Sequence, residues 1–213
     1  MKVMILSGGN LQTDFLKKQI TTYRADKILC ADGGAQPLFE AKIIPDVLLG
    51  DFDSISSEVF NFFINQGVKV VRFNCEKDQT DTEIALDYAI NLGATDIVLL
   101  GGTGTRLDHT LANIMILEKY CRLAICKIID PHNEIEVLQG IQTTQFEKQN
   151  FKYISLIPLS KKVLGVTTQG LKYPLKDATL LRKESFGISN EIIEDPCTLQ
   201  MSKGTMVVIR SCD

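Results

Sequence analysis

Val47-Leu48-Leu49-Gly50-Asp51-Phe52-Asp53-Ser54 is a short apolar run that ends in a glycine and two carboxylates. A strand without polar alternation has both faces covered, which is the condition of a strand inside a parallel sheet. Outward from it the pattern repeats. Val3 to Leu6, Lys27 to Ala31, Lys69 to Phe73, Ile97 to Leu100 and Ala124 to Ile129 read as further strands, with helical patterns between most of them. Strands and helices in this alternation specify an α/β layer around a parallel sheet. The best marked helix comes after Asp78: Thr80 and Glu83 have capping-box spacing, Ile84, Tyr88 and Leu92 recur along one face, and Gly93 ends it. Another starts near Asp108 and runs through Leu111, Ile114, Met115 and Leu117.

The segments at the carboxyl ends of these strands are chemically distinctive: Ser7-Gly8-Gly9-Asn10, Asp32-Gly33-Gly34, Gly50 to Ser54, Asp78-Gln79-Thr80-Asp81, and Gly101-Gly102-Thr103-Gly104-Thr105-Arg106-Leu107-Asp108-His109. The carboxyl ends of parallel strands share one edge, so these segments are expected to meet in one crevice. Glycines let backbone approach phosphate closely. Asp32, Asp51, Asp53, Asp78, Asp81 and Asp108 in one cleft would repel each other and phosphate alike unless a divalent cation intervened, and a magnesium nucleotide meets both requirements. In an extended backbone Asp51 and Asp53 point to the same side and Phe52 into the core. Asp78 and Asp81 flank a helix start and can face the same cation, while the planar fork of Arg106 suits phosphate oxygens. With two histidines, His109 and His132, and no CxxC pair, oxygen ligands and a hard cation are expected rather than zinc.

Each feature has a plainer reading. Gly8-Gly9 and Gly33-Gly34 are ordinary turn residues, an Asp-x-Asp pair alone is weak, and Asp81 and Asp108 suit any helix start. His109 reads as a structural hydrogen-bonding residue and His132 as an exposed turn residue. The convergence of five segments at one sheet edge favours the functional reading.

After Asp130-Pro131-His132-Asn133 the period changes. Glu134 to Leu138, Lys152 to Ile157, Val163 to Thr168, Thr198 to Met201 and Thr205 to Arg210 read as short alternating strands, with Ser202-Lys203-Gly204 as a hairpin loop between the last two. The expected organisation is an N-terminal parallel-sheet α/β domain over 1–132, carrying ATP and metal, and a smaller C-terminal antiparallel β-sandwich over 133–213.

The 213 residues carry 45% hydrophobic and 23% charged residues and a net charge of -3, with lysine and arginine scattered. That composition specifies a folded chain without the electrostatic footprint of a nucleic-acid or membrane-surface binder. No apolar run reaches membrane-span length, the opening apolar stretch is too short for a signal peptide, and six cysteines without paired spacing read as reduced thiols; a cytoplasmic location is expected.

Gly50 to Ser54, Asp78 to Asp81 and Arg106-Leu107-Asp108-His109-Thr110-Leu111-Ala112-Asn113 resemble the motifs of thiamine pyrophosphokinases in order and spacing. Ala31 to Ala35, Gln169-Gly170-Leu171-Lys172-Tyr173 and Gly187-Ile188-Ser189-Asn190-Glu191 resemble further segments of that family, so the likeness spans nearly the whole chain. It implies transfer of the pyrophosphoryl group of ATP to the hydroxyethyl oxygen of thiamine, releasing AMP, by a homodimer with active sites between subunits. By the same resemblance Asp51, Asp53 and Asp81 hold magnesium with Asp78 adjacent. Gly8, Gly9, Asp32, Gly33, Gly34, Gly102, Thr103, Arg106, Asp108 and His109 form the ATP site. Thr80, Ser189 and Asn190 bind thiamine; the chain has no tryptophan, so any aromatic stacking on it must come from tyrosine or phenylalanine, and Tyr173 is the candidate. One departure is Thr105, where many relatives have glycine.

Asp81, Arg106 and Asp108 are the catalytic candidates, and either Asp108 or Asp81 is available to accept the alcohol proton; a loose transition state does not demand a strong base. Metal-dependent phosphoester hydrolysis and a non-catalytic thiamine or nucleotide sensor are the competing readings. Product identity separates them.

Overall fold

The computed structural model describes residues 1–73 and 78–213, so Cys75 lies outside the described residues. The chain divides into two compact units, one of Met1–Ile116 with Leu123–Pro131 and one of Leu117–Arg122 with His132–Asp213.

In the first unit β1 (Lys2–Leu6), β2 (Lys27–Ala31), β3 (Val47–Gly50), β4 (Lys69–Arg72), β5 (Asp96–Leu100) and β6 (Ile125–Ile129) pair in parallel in the order β6-β5-β1-β2-β3-β4. Successive side chains of the central strands are buried on both faces, as their unbroken apolar sequence requires. Met4, Leu6, Cys30, Leu48, Val98 and Leu100 form one core with Leu16 of α1 (Thr13–Tyr23), Leu38 of α2 (Ala35–Ala41) and Phe63 of α3 (Ser57–Asn65). Each fully buried leucine there contributes about 2 kcal/mol. α4 (Asp81–Asn91) packs on β1, β2 and β3 and buries Ile84, Ala85, Leu86 and Ala89. Thr80 caps it, its hydroxyl accepting from the Glu83 amide at 3.2 Å, and the left-handed Gly93 (φ +84°) lies just past its end.

The chain leaves β1 for β2 on one side and returns to β5 on the other. This reversal opens a crevice beyond the carboxyl ends of β1 and β5. α5 (Leu107–Tyr120) begins at that edge; Leu117 is buried, but Leu107, Leu111 and Met115 are 72%, 57% and 61% exposed.

The second unit is two antiparallel sheets. β7 (Asn133–Gln139), β9 (Tyr153–Pro158), β12 (Asn190–Glu191) and β14 (Thr205–Ser211) give the order β12-β9-β14-β7; β8 (Gln142–Phe146), β10 (Lys162–Gln169), β11 (Ala178–Leu181) and β13 (Cys197–Met201) give β11-β10-β13-β8. Leu138, Ile154, Leu156, Met206 and Val208 from one and Phe146, Val163, Val166, Leu199 and Met201 from the other share one core, the arrangement of a β-sandwich.

Ser202-Lys203-Gly204 is not a hairpin loop. β13 pairs with β8 and β10 whereas β14 pairs with β7 and β9, so the segment crosses from one sheet to the other. The reason is that its backbone binds a third strand: the Ser202 amide donates to Leu164 O at 2.9 Å and the Leu164 amide to Lys203 O at 2.8 Å. Short spacing and a glycine cannot distinguish this crossing from a reversal within a sheet.

Candidate active site

The loops after β1 and β5 are stitched together before they can bind anything. The Gly9 amide donates to Gly101 O at 2.9 Å and the Asn10 amide to Thr103 O at 3.0 Å. A Cβ on Gly9 would lie 2.2 Å from Thr103 O, and one on Gly101 2.3 Å from Ser7 O. Gly8 and Gly33 stand back to back, where a Cβ on Gly33 would reach 2.9 Å from the Gly8 Cα. These glycines are required by loop-to-loop contact, and the Gly9 amide is already engaged.

Together the loops line a cleft of about 850 Å³. It is bounded by Gly8, Gly9, Asp32, Gly33, Asp51, Thr80, Asp81, Gly102, Thr103, Arg106 and His109 among the expected residues. Gly34, Asp53, Asp78 and Asp108 are not in its lining. The acidic cluster expected from sequence is therefore narrower: Asp32, Asp51 and Asp81 face the cleft, and Asp53 and Asp78 are exposed outside it.

The Asp-x-Asp pair does not work through an extended backbone. Phe52 is in the left-handed region at φ +68°, and the Asp53 amide donates back to Asp51 Oδ1 at 3.1 Å. Such a φ strains a non-glycine residue, and packing offsets it here. The Phe52 ring is 9% exposed, lies 5.1 Å from that of Phe60, and has the Arg72 guanidinium 5.3 Å from its centre. Phe52 does enter the core, and the tight turn directs Asp51 toward the cleft while Asp53 supports it.

Asp32 is the buried carboxylate of the cleft. It is 6% exposed, its backbone is left-handed at φ +29°, and Oδ1 has no hydrogen-bond partner. Burial pushes its carboxyl above the usual range; Asp81 and Asp51 push the same way, and the Ser54 hydroxyl and Phe52 amide pull against them. Arg106 and Asp108 form an exposed two-point ion pair. That pairing holds the Asp108 carboxyl below the ordinary range, which makes it a poor base.

Several contacts within the cleft are not foreseen by the sequence. Ser7 Oγ and Thr82 Oγ1 are 2.8 Å apart and buried, tying the end of β1 to the first turn of α4 beside Asp81. Asn113 Nδ2 donates to Gly102 O at 2.8 Å, and Thr103 Oγ1 to Asp130 Oδ2 at 2.9 Å. Ser7, Thr103 and Asn113 stand in segments that the sequence singles out, whereas Thr82 has no such signal. A contact between hydroxyls 75 positions apart carries none.

Could the residues hold magnesium? Among the described residues no three His, Cys, Asp or Glu side chains close around an ion by themselves. An orphaned carboxylate oxygen on Asp32 beside the charges of Asp51 and Asp81 nevertheless makes an all-oxygen, electron-rich wall that a hard cation would relieve. Magnesium characteristically uses one or two protein carboxylates with water and substrate phosphates. The donor set fits that open kind of site.

In the second unit Ser189 is exposed with φ +55°, its amide bound to Ser155 Oγ at 3.0 Å. Tyr173 is 64% exposed. Asn190 is buried at 8%, and both ends of its carboxamide bind the Tyr173 main chain.

Comparison with known proteins matches residues 19–129 to the family model described as "Thiamin pyrophosphokinase, catalytic domain" and residues 142–206 to "Thiamin pyrophosphokinase, vitamin B1 binding domain". Thiamine pyrophosphokinase of Bacillus subtilis (strain 168) is 36% identical over 216 residues, 99% of each chain. The crystal structure of thiamine pyrophosphokinase from Bacillus subtilis superposes with a TM-score of 0.89 at 33% identity, covering 100% of both chains. That from Geobacillus thermodenitrificans gives 0.85 at 35%, covering 100% of this chain and 98% of that one. With both halves matched in order and the Asp, Gly and Arg loops gathered on one sheet edge, the chain belongs to the thiamine pyrophosphokinase family.

Proposed function

We propose that the cleft at the carboxyl edge of the parallel sheet takes ATP as its magnesium complex, and that the hydroxyethyl oxygen of thiamine attacks the β-phosphorus there, with AMP leaving. The observation that carries this reading is the orphaned Asp32 oxygen beside Asp51 and Asp81, in one glycine-walled cleft with Arg106. Asp51 and Asp81 would be direct magnesium ligands, and Asp53 and Asp78 would add charge nearby. When bound, the metal neutralises charge on the phosphates.

Arg106 offers a planar pair of donors to the transferring group, held in place by Asp108. Glycine walls admit the phosphate chain closely, and α4 aims its N-terminus at the same space from Asp81. Asp81 lines the cleft and Asp108 does not, so Asp81 is the better placed acceptor for the alcohol proton. In a loose transition state positioning and electrostatics carry most of the rate.

Residues 1–132 form the nucleotide domain in this proposal and 133–213 the thiamine domain, where Tyr173 and Ser189 are exposed for contact. A homodimer with active sites between subunits is part of the reading; the exposed Leu107, Leu111 and Met115 on one stripe of α5 support it. So is a cytoplasmic location: among the described residues the five cysteines form no disulfide, and no helix is long and apolar enough to cross a membrane.

The test is incubation with ATP, magnesium and thiamine and separation of the nucleotides. AMP formed in equal amount with thiamine diphosphate, only when thiamine and magnesium are present, is the expected result. Phosphate release without acceptor would assign the cleft to a hydrolase, and absence of turnover with both ligands bound to a sensor.

A further inference from the structure

We infer that Asn190 is a positioning residue that acts through Tyr173, rather than a direct contact to the acceptor. The inference rests on the proposed place of Tyr173 in the thiamine site. Asn190 Nδ2 donates to Tyr173 O at 2.7 Å, and Asn190 Oδ1 accepts from the Tyr173 amide at 3.0 Å and from the Glu191 amide at 3.0 Å. A carboxamide has two lone pairs and two N–H bonds, so only one N–H is left for any ligand. At 8% exposure that group is poorly placed to meet one.

The clamp completes a ladder. Leu171 bridges Ile192, and the Lys172 amide donates to Glu191 O at 2.9 Å, so residues 171–173 run antiparallel to 190–192. At Tyr173 the Asn190 side chain replaces the next backbone partner. Asn190 is itself fixed, because it pairs with Ile154 of β9 and the preceding Ser189 amide is bound to Ser155 Oγ. Pro174 further restricts Tyr173 to extended backbone. A fixed main chain carrying an aromatic residue that is 64% exposed is a preorganised platform for a planar heterocycle.

Steady-state kinetics on Asn190→Ala, Tyr173→Ala and the double variant, with melting temperatures, test this. Each single variant is expected to raise the KM for thiamine roughly tenfold, with kcat and the KM for ATP unchanged. The double variant should raise it no further, because both changes remove one platform. Asn190→Asp keeps the acceptor and loses the donor, so it should raise the KM only while Tyr173 is present; it serves if the alanine variant does not fold. Multiplying effects in the double variant would make Asn190 a direct contact, and an unchanged KM in Asn190→Ala with a lowered melting temperature would make the clamp merely structural. Either overturns the inference while leaving Tyr173 in the site. An unchanged KM in Tyr173→Ala alone would remove Tyr173 from the site and the inference with it.

Discussion

Arg106 and Asp108 grip each other at two points, Nη2 to Oδ2 at 2.5 Å and Nε to Oδ1 at 3.2 Å, on the rim of the cleft. Their side chains are 69% and 64% exposed, so the pair adds little to stability and its value is orientation. Arg106→Ala should lower kcat/KM for ATP roughly 10²–10³-fold, the loss typical of one preorganised donor. Asp108→Asn leaves the guanidinium in place but unheld, and about a tenfold loss with an unchanged melting temperature is expected. Equal losses in steady-state assays of the two variants would make Asp108 a participant in its own right.

Asp32 sets the expected pH behaviour. Its folded carboxyl titrates above the unfolded value, so the associated stability is fully present below the unfolded pKa and is lost as pH rises through the folded one. Asp32→Asn should therefore stabilise the ligand-free protein at neutral pH by a few degrees, near 2–4 °C if the gain is about 1 kcal/mol, while transfer falls steeply. The acid limb of kcat/KM in the native protein should lie above the ordinary aspartate range, and magnesium should move Asp32 back down. A melting scan and pH-rate profile that show no difference on replacing Asp32 would refute this account.

Asp51 and Asp53 separate the direct ligand from its support. Asp53 is exposed outside the cleft, and Asp53→Asn keeps the backbone amide that donates to Asp51 while removing one nearby negative charge, so it should raise the magnesium requirement only modestly, by roughly tenfold at most. Asp51→Asn should leave activity unrecovered at any magnesium concentration. Magnesium titrations that rank the two in the opposite order would place the metal on the rim.

Gly9 and Gly67 make a controlled comparison. A methyl on Gly9 meets two carbonyl oxygens at 2.2 and 2.3 Å, and the stitched loops cannot yield without opening the cleft. Gly67 has φ +77° but nothing within 4 Å of the added carbon. Gly67→Ala should cost only the backbone strain, about 1 kcal/mol, with full activity. Gly9→Ala should cost about 3 kcal/mol or more and most of the activity. Denaturant unfolding and the transfer assay decide it.

Local rules carried the parallel half. Burial on both faces leaves strands such as Val47 to Gly50 with no polar alternation, and Thr80 with Glu83 announces a helix start by hydrogen-bond geometry alone. The sandwich was less legible because β8 is the polar Gln142–Phe146 and β12 only Asn190–Glu191, segments that become strands by pairing with neighbours distant in sequence. The same limit applies to the site. Sequence placed Asp51 and Asp81 at one edge, since topology requires it, but not the left-handed Phe52 that reorients the Asp-x-Asp turn or the Ser7 to Thr82 contact. Asn190 was identifiable by motif, whereas its use as a backbone clamp depends on how the folded chain brings Tyr173 beside it.

Arg210 supplies the last prediction, within the sandwich. Its guanidinium and the Glu134 carboxylate are 4% and 8% exposed and bonded to each other, with Glu147 O as a further acceptor and the Phe151 ring 4.9 Å away. Arg210 Nε has no hydrogen-bond partner, so the cation already lacks full compensation. Removing the opposing charge leaves a buried guanidinium without its counter-ion, at a cost of about 3–5 kcal/mol for Glu134→Gln. Replacing both, as in Glu134→Leu with Arg210→Met, removes the desolvation penalty together with the attraction, and most of that loss should return. Urea unfolding of the single and double variants measures the difference. A double variant as unstable as the single would mean that the stabilisation comes from arginine's stacking on Phe146 and Phe151 and not from its pairing with Glu134.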